Sequence, residues 1–204
     1  QGAQDSAGTF SVNQVVALHF DGAADIPVDA TAYGNQLSGF DAMMSPASLI
    51  AGGASFVGSG AMVLADSPSL RLIPDKGFTL AMWIKPAGVQ NDVLLMQRSE
   101  GGNVIELAID QSALYAKANM NGEIVETPRT APLTLDSWQH VAMTLNSNTL
   151  SVYVNGLEVA SIPLATAEMG GEIFIGAAAD GTRAFSGEMD ELGIHNVQVE
   201  PVTL

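Results

Sequence analysis

The strongest candidates for acid–base chemistry lie in Glu188-Met189-Asp190-Glu191. Paired carboxyls cleave glycosides, and retaining hydrolysis requires the two groups roughly 5–5.5 Å apart and projecting together. On a strand, Glu188 and Asp190 share a face, and the next position on that face is Leu192 rather than a third acid. Glu191 falls one residue early, and a one-residue offset turns a side chain to the opposite face. Only a bulge would realign it, and nothing in the stretch asks for one, so no hydrolytic pair is expected. The three histidines, His19, His140 and His195, lack the His-Glu-x-x-His spacing of a metal helix. The chain has no cysteine, which removes thiol nucleophiles, thiolate metal sites and disulfides. No Gly-x-Ser-x-Gly elbow is present, and Gly58-Ser59-Gly60 lacks the lysine and helix of a phosphate loop. An enzyme is therefore not expected.

A binding role has more to draw on. Trp83, His140 and Tyr153 each sit opposite the apolar parity of their own runs. They can share the second face of one sheet, where a sugar ring would stack on aromatic planes. Burial of that face beneath another layer is the competing and favoured reading, because Trp and Tyr are large and usually mostly buried.

The elements that position these residues are strands. In residues 138–145, Val141, Met143 and Leu145 point one way, while Trp138, His140, Ala142 and Thr144 point the other. After the polar turn Asn146-Ser147-Asn148, Leu150, Val152 and Val154 alternate with Ser151 and Tyr153, which predicts an antiparallel hairpin. Asn155-Gly156 supplies the left-handed positions of the next tight turn. Phe78, Leu80, Met82 and Ile84 form the apolar face of another strand, which Pro86 ends. Hairpin spacing continues through residues 93–109 and 113–126, then 172–176 and 189–195, giving about a dozen strands. Residues 21–39 are rich in Asp, Gly and Asn without periodicity and read as a long loop, a kind usually functional or tied down. Residues 43–51 read equally as a helical turn or a strand entry.

Composition sets the outer bounds. A hydrophobic share of 47% against 14% charged residues belongs to a folded chain, and 204 residues suit one large β domain. The expected organisation is a linker or incoming edge segment over residues 1–14 and a single domain over 15–204. A formal charge of −15 opposes nucleic acid and anionic membrane surfaces, while suiting a solvated acidic surface or divalent cations. No apolar run approaches the roughly 18 residues of a membrane span, so no direct membrane insertion is expected within this segment. The chain begins at Gln1 rather than Met, which reads as a processed or excised product.

Several motifs in order carry a family resemblance. They are His19-Phe20-Asp21, then Asp29-Ala30-Thr31-Ala32-Tyr33-Gly34-Asn35, Ala54-Ser55-Phe56-Val57-Gly58-Ser59-Gly60 and Phe78-Thr79-Leu80-Ala81-Met82-Trp83-Ile84-Lys85-Pro86. Trp138-Gln139-His140-Val141-Ala142 and Val152-Tyr153-Val154-Asn155-Gly156 follow, and Gly187-Glu188-Met189-Asp190-Glu191-Leu192 closes the series. Over residues 15–195 the chain resembles bacterial laminin-G-like, concanavalin A-like jelly-roll domains. The resemblance implies an all-β fold, a two-sheet antiparallel β-sandwich with negligible helix. Val141, Met143, Leu145, Val152, Val154, Leu80, Met82 and Ile173 should line its core.

The same resemblance implies a structural calcium ion joining the first long loop to the closing strand, with Asp29, Asn35 and Asp190 as ligands and Asp21 a weaker candidate. Hard cations take carboxylate and carbonyl oxygens of this kind, although Asp29 and Asn35 can equally cap turns unaided. Fold does not fix function. The expected role is a non-catalytic extracytoplasmic recognition module binding a glycan or a protein ligand at the cell surface, as one part of a larger protein. The alternative is a periplasmic scaffold or sensor domain of a membrane protein resembling the MotA/TolQ/ExbB proton-channel family. A jelly-roll glycoside hydrolase is the least favoured reading, since the Glu-x-Asp-x-Glu of those enzymes meets Leu192 at its last position.

Overall fold

Alternating apolar residues fold into fifteen strands in the computed structural model, which describes residues 13–21, 26–46, 49–50 and 52–199. In chain order they are β1 Gln14–Leu18, β2 Leu37–Phe40, β3 Met43–Ser45, β4 Gly53–Val57, β5 Met62–Leu64, β6 Phe78–Pro86, β7 Val93–Glu100 and β8 Asn103–Asp110. Then follow β9 Ala113–Met120, β10 Glu123–Glu126, β11 Gln139–Leu145, β12 Thr149–Val154, β13 Leu157–Pro163, β14 Ile173–Ile175 and β15 Ser186–His195. A 3-10 turn at Pro68–Leu70 is capped by the Ser67 hydroxyl. No described helix is long and apolar enough to cross a membrane.

The strands form two antiparallel sheets. One has eight strands in the order β13-β12-β11-β6-β15-β4-β3, with β1 also paired to β15. The other has seven, in the order β10-β9-β8-β7-β14-β5-β2. Each sheet buries one face, and one continuous core fills the space between them. Leu80, Met82, Val141, Met143, Leu145, Val152 and Ile173 are buried in it, and Val154 packs against it partly buried. The predicted hairpin stands as β11 and β12, with Val141 opposite Val154 and Leu145 opposite Leu150. Asn155 and Gly156 take φ values of 50° and 78° in the turn to β13.

Some expectations need correcting. Residues 21–39 are not loop throughout, because Leu37 starts β2 and pairs with Leu64 of β5. The undecided stretch 43–51 contributes the short edge strand β3. Of the expected linker or incoming edge segment over residues 1–14, Gln14 opens β1, Asn13 lies in a turn, and residues 1–12 lie outside the described residues.

β15 organises the eight-stranded sheet. One side pairs throughout with β6. The other side is divided: Ser186 to Met189 pair with β4, and Leu192 to His195 pair with β1. At the division the register against β6 slips, with Asp190 opposite Trp83 and Gly193 opposite Ala81. Two residues, Glu191 and Leu192, therefore oppose Met82 alone, and Glu191 has φ 49°. This is a β-bulge, contrary to the sequence expectation. It lets Met189, Leu192 and Ile194 all reach the core despite their irregular spacing. Gly187 is required just before it, since a Cβ there would stand 2.3 Å from the Lys85 carbonyl oxygen.

Candidate functional site

The acidic run on β15 fills the fork where β1 leaves off and β4 begins. Asp190 is fully buried, and its carboxylate accepts from the N–H of Ile50 at 3.0 Å and of Glu191 at 2.8 Å. Glu191 Oε2 lies 2.8 Å from His19 Nδ1, just beyond β1. Glu188 is paired with Lys85 on β6 at 3.2 Å. Each carboxylate thus has a local structural engagement. Glu188 Oε2 and Glu191 Oε1 are nonetheless buried without a hydrogen bond among the described residues.

The four expected metal ligands fall into two groups. Asp29 and Asn35 form a clamp on β1. Asp29 Oδ1 accepts from the N–H of Ala17 and of Thr31, and Oδ2 from the Thr31 hydroxyl, the Asn35 N–H and the Asn35 amide. The Asn35 amide also donates to the Val15 carbonyl at 2.6 Å, and its own oxygen accepts from the Ser69 hydroxyl. These donors make Asp29 the centre of a hydrogen-bonded clamp that ties the loop to β1. Asp21 instead adjoins Gly52, and Asp190 adjoins Ile50. A Cβ on Gly52 would lie 3.2 Å from Asp21 Cα, and Ile50 is bonded to Asp190. Among the described residues no three acidic or imidazole side chains converge as a cation cage.

Trp83, His140 and Tyr153 do share the outer face of the eight-stranded sheet. Trp83 and His140 are cross-strand partners on β6 and β11, half-buried, with ring centroids 5.4 Å apart in an edge arrangement. Tyr153 on β12 is more deeply buried than that pair. It is 4% exposed, packs with Ala81 and Ala142, and donates its hydroxyl to Glu158 at 3.0 Å. Burial lowers the pKa of His140, and likewise that of His195 on the same face.

The seven-stranded sheet turns a different surface outward. Its cross-strand register aligns Glu126, Lys117, Glu106, Gln97, Phe174, Val63 and Gly39, one residue from each strand in turn. At strand spacings of about 4.8 Å this row crosses roughly 29 Å of sheet. Its polar members other than Lys117 are held in place. Glu106 Oε1 accepts from the Gln97 amide at 2.8 Å and from Arg183 Nη1 at 2.9 Å, while Arg183 Nη2 pairs with Asp92 at 2.8 Å. Arg129 lies 4.5 Å over the Tyr115 ring and pairs with Glu126 and Asp110. Beside the row, Val104, Glu106, Lys117, Ala118, Asn119 and Ile124 line a hollow of about 230 Å³. Sequence reasoning missed this face, because alternation shows which side a residue faces but not which strands lie side by side.

With this architecture in view, the comparisons agree. The chain belongs to the concanavalin A-like lectin/glucanases superfamily, whose laminin-G-type family model matches residues 57–201. No curated protein matches it. Among solved structures, domain 4 of AbnA, an extracellular arabinanase of Geobacillus stearothermophilus solved with arabinotriose, aligns at TM-score 0.73 and 17% identity, covering 93% of this chain and 95% of that one. The binding domain of Paraclostridial Mosquitocidal Protein 1 aligns at TM-score 0.74 and 15% identity, covering 93% and 50%. The botulinum neurotoxin serotype G binding domain aligns at 0.75 and 12%, covering 94% and 49%. The chain spans about half the length of the two toxin domains, and at these identities the likeness shows the fold alone.

Proposed function

We propose that this domain is a non-catalytic, extracytoplasmic recognition module that binds an oligosaccharide across the outer face of the seven-stranded sheet. The row from Glu126 to Gly39 carries the reading. It sets fixed carboxylate and amide groups and the Lys117 ammonium beside the half-buried ring of Phe174, and it runs across several strands as an extended polymer would. Sugars present hydroxyls that pair with planar polar side chains and C–H faces that pack on apolar ones. The solved complex of AbnA domain 4 with arabinotriose supports a glycan as ligand class. The structural engagement of Glu188, Asp190 and Glu191 supports binding rather than hydrolysis.

Titration calorimetry against the best members of a glycan panel tests this. Gln97→Ala and Phe174→Ala should each weaken binding by about tenfold, equivalent to one lost hydrogen bond or stacking contact. Absence of binding to every glycan would overturn the reading, as would release of reducing sugar that Glu188→Gln abolishes.

A structural calcium ion is a separate proposal, with Asp190 on β15 and Asp21 as its carboxylate ligands. Support comes from the surplus of buried carboxylate oxygen at the β15 fork. Main-chain carbonyls would complete the ligands. Metal analysis after dialysis, with melting in chelator, decides it. Bound calcium and a lower melting temperature in chelator are expected. No metal and an unchanged melting temperature would remove the ion.

A further inference from the structure

We infer that the hollow between β8, β9 and β10 is the anchoring subsite for a single neutral sugar ring; the inference rests on the glycan-binding reading above. Its starting point is Lys117. By register this residue stands between two glutamates, Glu106 on β8 and Glu126 on β10. Both are already engaged elsewhere, Glu106 with Arg183 and Glu126 with Arg129. Lys117 forms no ion pair with either, although the chain carries only 7 basic residues against 22 acidic ones. Three ammonium donors are thus left at the wall of the hollow.

Acceptors face them. Asn119 Oδ1 is buried without a hydrogen bond, one row along the same strand. Glu106 uses Oε1 for both Gln97 and Arg183, which leaves Oε2 without a hydrogen bond among the described residues. Apolar walls complete the set. Val104 and Ile124 flank Asn119 on its two neighbouring strands, and Ile124 is 65% exposed on a short edge strand. A buried acceptor with no partner costs stability unless something supplies a donor. An exposed isoleucine beside it offers an apolar surface with no internal role.

A sugar ring fits both needs. Its vicinal hydroxyls donate to Asn119 and Glu106 and accept from Lys117, and its C–H face lies against Val104 and Ile124. The volume of about 230 Å³ is below the roughly 300–1,000 Å³ of sites for larger ligands, so one ring is seated rather than several. Charge selects a neutral ring. A uronate, sulfate or phosphate would approach the Glu106 and Glu126 carboxylates on a chain of net charge −15, against one unpaired ammonium.

The experiment uses the intact domain, with calorimetric titration of matched neutral and anionic oligosaccharides into wild type, Lys117→Met, Asn119→Leu and Ile124→Ser. Leu157→Ser, on the edge strand β13 of the other sheet, serves as control. All three hollow variants should weaken the neutral ligand by about tenfold. Their melting temperatures should stay within about 2 °C of wild type, and the control should bind unchanged. Wild-type binding that survives all three substitutions would overturn the subsite while leaving the glycan reading intact. Tighter binding of the anionic ligand than of its neutral counterpart would overturn the assignment of charge class. Failure of wild type to bind any glycan would overturn the glycan reading and the subsite with it.

Discussion

The outer faces of the two sheets are built on the same alternation yet differ in what they present. On the eight-stranded sheet, Thr79, Ala81, Ala142, Thr144, Ser151 and Tyr153 are all buried, and five of the six are small. The chain after β15 returns to this face, where the Thr79 hydroxyl donates to the Val197 carbonyl and accepts from the Val199 N–H. On the seven-stranded sheet, Gln97, Lys117, Asn119 and Phe174 are half-buried, and Glu106 is braced by Gln97 and Arg183. Short side chains make a face that other parts of the molecule can cover. Long, mutually supported polar side chains keep a face open and give it fixed donors and acceptors. Period-2 patterning decides which residues leave the core, whereas their length and charge decide whether the surface they form stays free.

This contrast can be broken by substitution. The largest effect is expected for Ala142→Lys, which places an unpaired ammonium at a fully buried site; urea unfolding should show a loss of about 3 kcal/mol or more. Ser99→Lys on the exposed part of the other face should stay within about 0.5 kcal/mol. Equal losses at the two positions would erase the distinction. Next comes Asp29→Asn. An amide would turn N–H groups toward donors now satisfied by carboxylate oxygen and loosen β1 from the loop, costing about 2 kcal/mol in the same measurement. Tyr153→Phe removes the hydroxyl bond to Glu158 but keeps the ring packed, so a loss near 1 kcal/mol is expected.

The smallest effect is in pH dependence. His140 and His195 both lie on the closed face, and burial lowers both pKa values from 6.5. The unfolded chain therefore protonates first as pH falls, so their contribution to stability is full above about pH 6.5 and is lost below it. The melting temperature of the double variant His140→Gln, His195→Gln should fall less between pH 7 and pH 5 than that of wild type. Parallel curves would show that burial of this face does not reach the imidazoles.

Much of the scaffold was legible because local signals agreed. Leu80, Met82, Val141 and Met143 alternate cleanly, Asn155-Gly156 specifies its turn, and the core positions follow. The bulge at Glu191 was not legible. Nothing in Glu188-Met189-Asp190-Glu191 sets it; it arises where β15 changes neighbour from β4 to β1, a tertiary event. The site was less legible than the fold. Gln97, Glu106, Lys117 and Phe174 belong to four strands whose adjacency depends on β14 inserting beside β7. Trp83 and His140 were correctly placed together because their strands are long and their parity is plain. Tyr153 shares their parity, but its partners across the sheet are Ala142 and Glu158.

The position of β15 has a consequence for how the chain acquires its structure. It is last in chain order among the fifteen described strands, yet it lies at the centre of its sheet, between β6 on one side and β1 and β4 on the other. Until it is synthesised and docked, β4 and β6 cannot meet, and each presents an unpaired edge. These contacts span long stretches of sequence, so closure must wait for a costly loop search. During synthesis the eight-stranded sheet therefore stays in two pieces with open edges, and resistance to proteolysis is expected to arrive in one late step, when β15 docks, rather than by gradual growth.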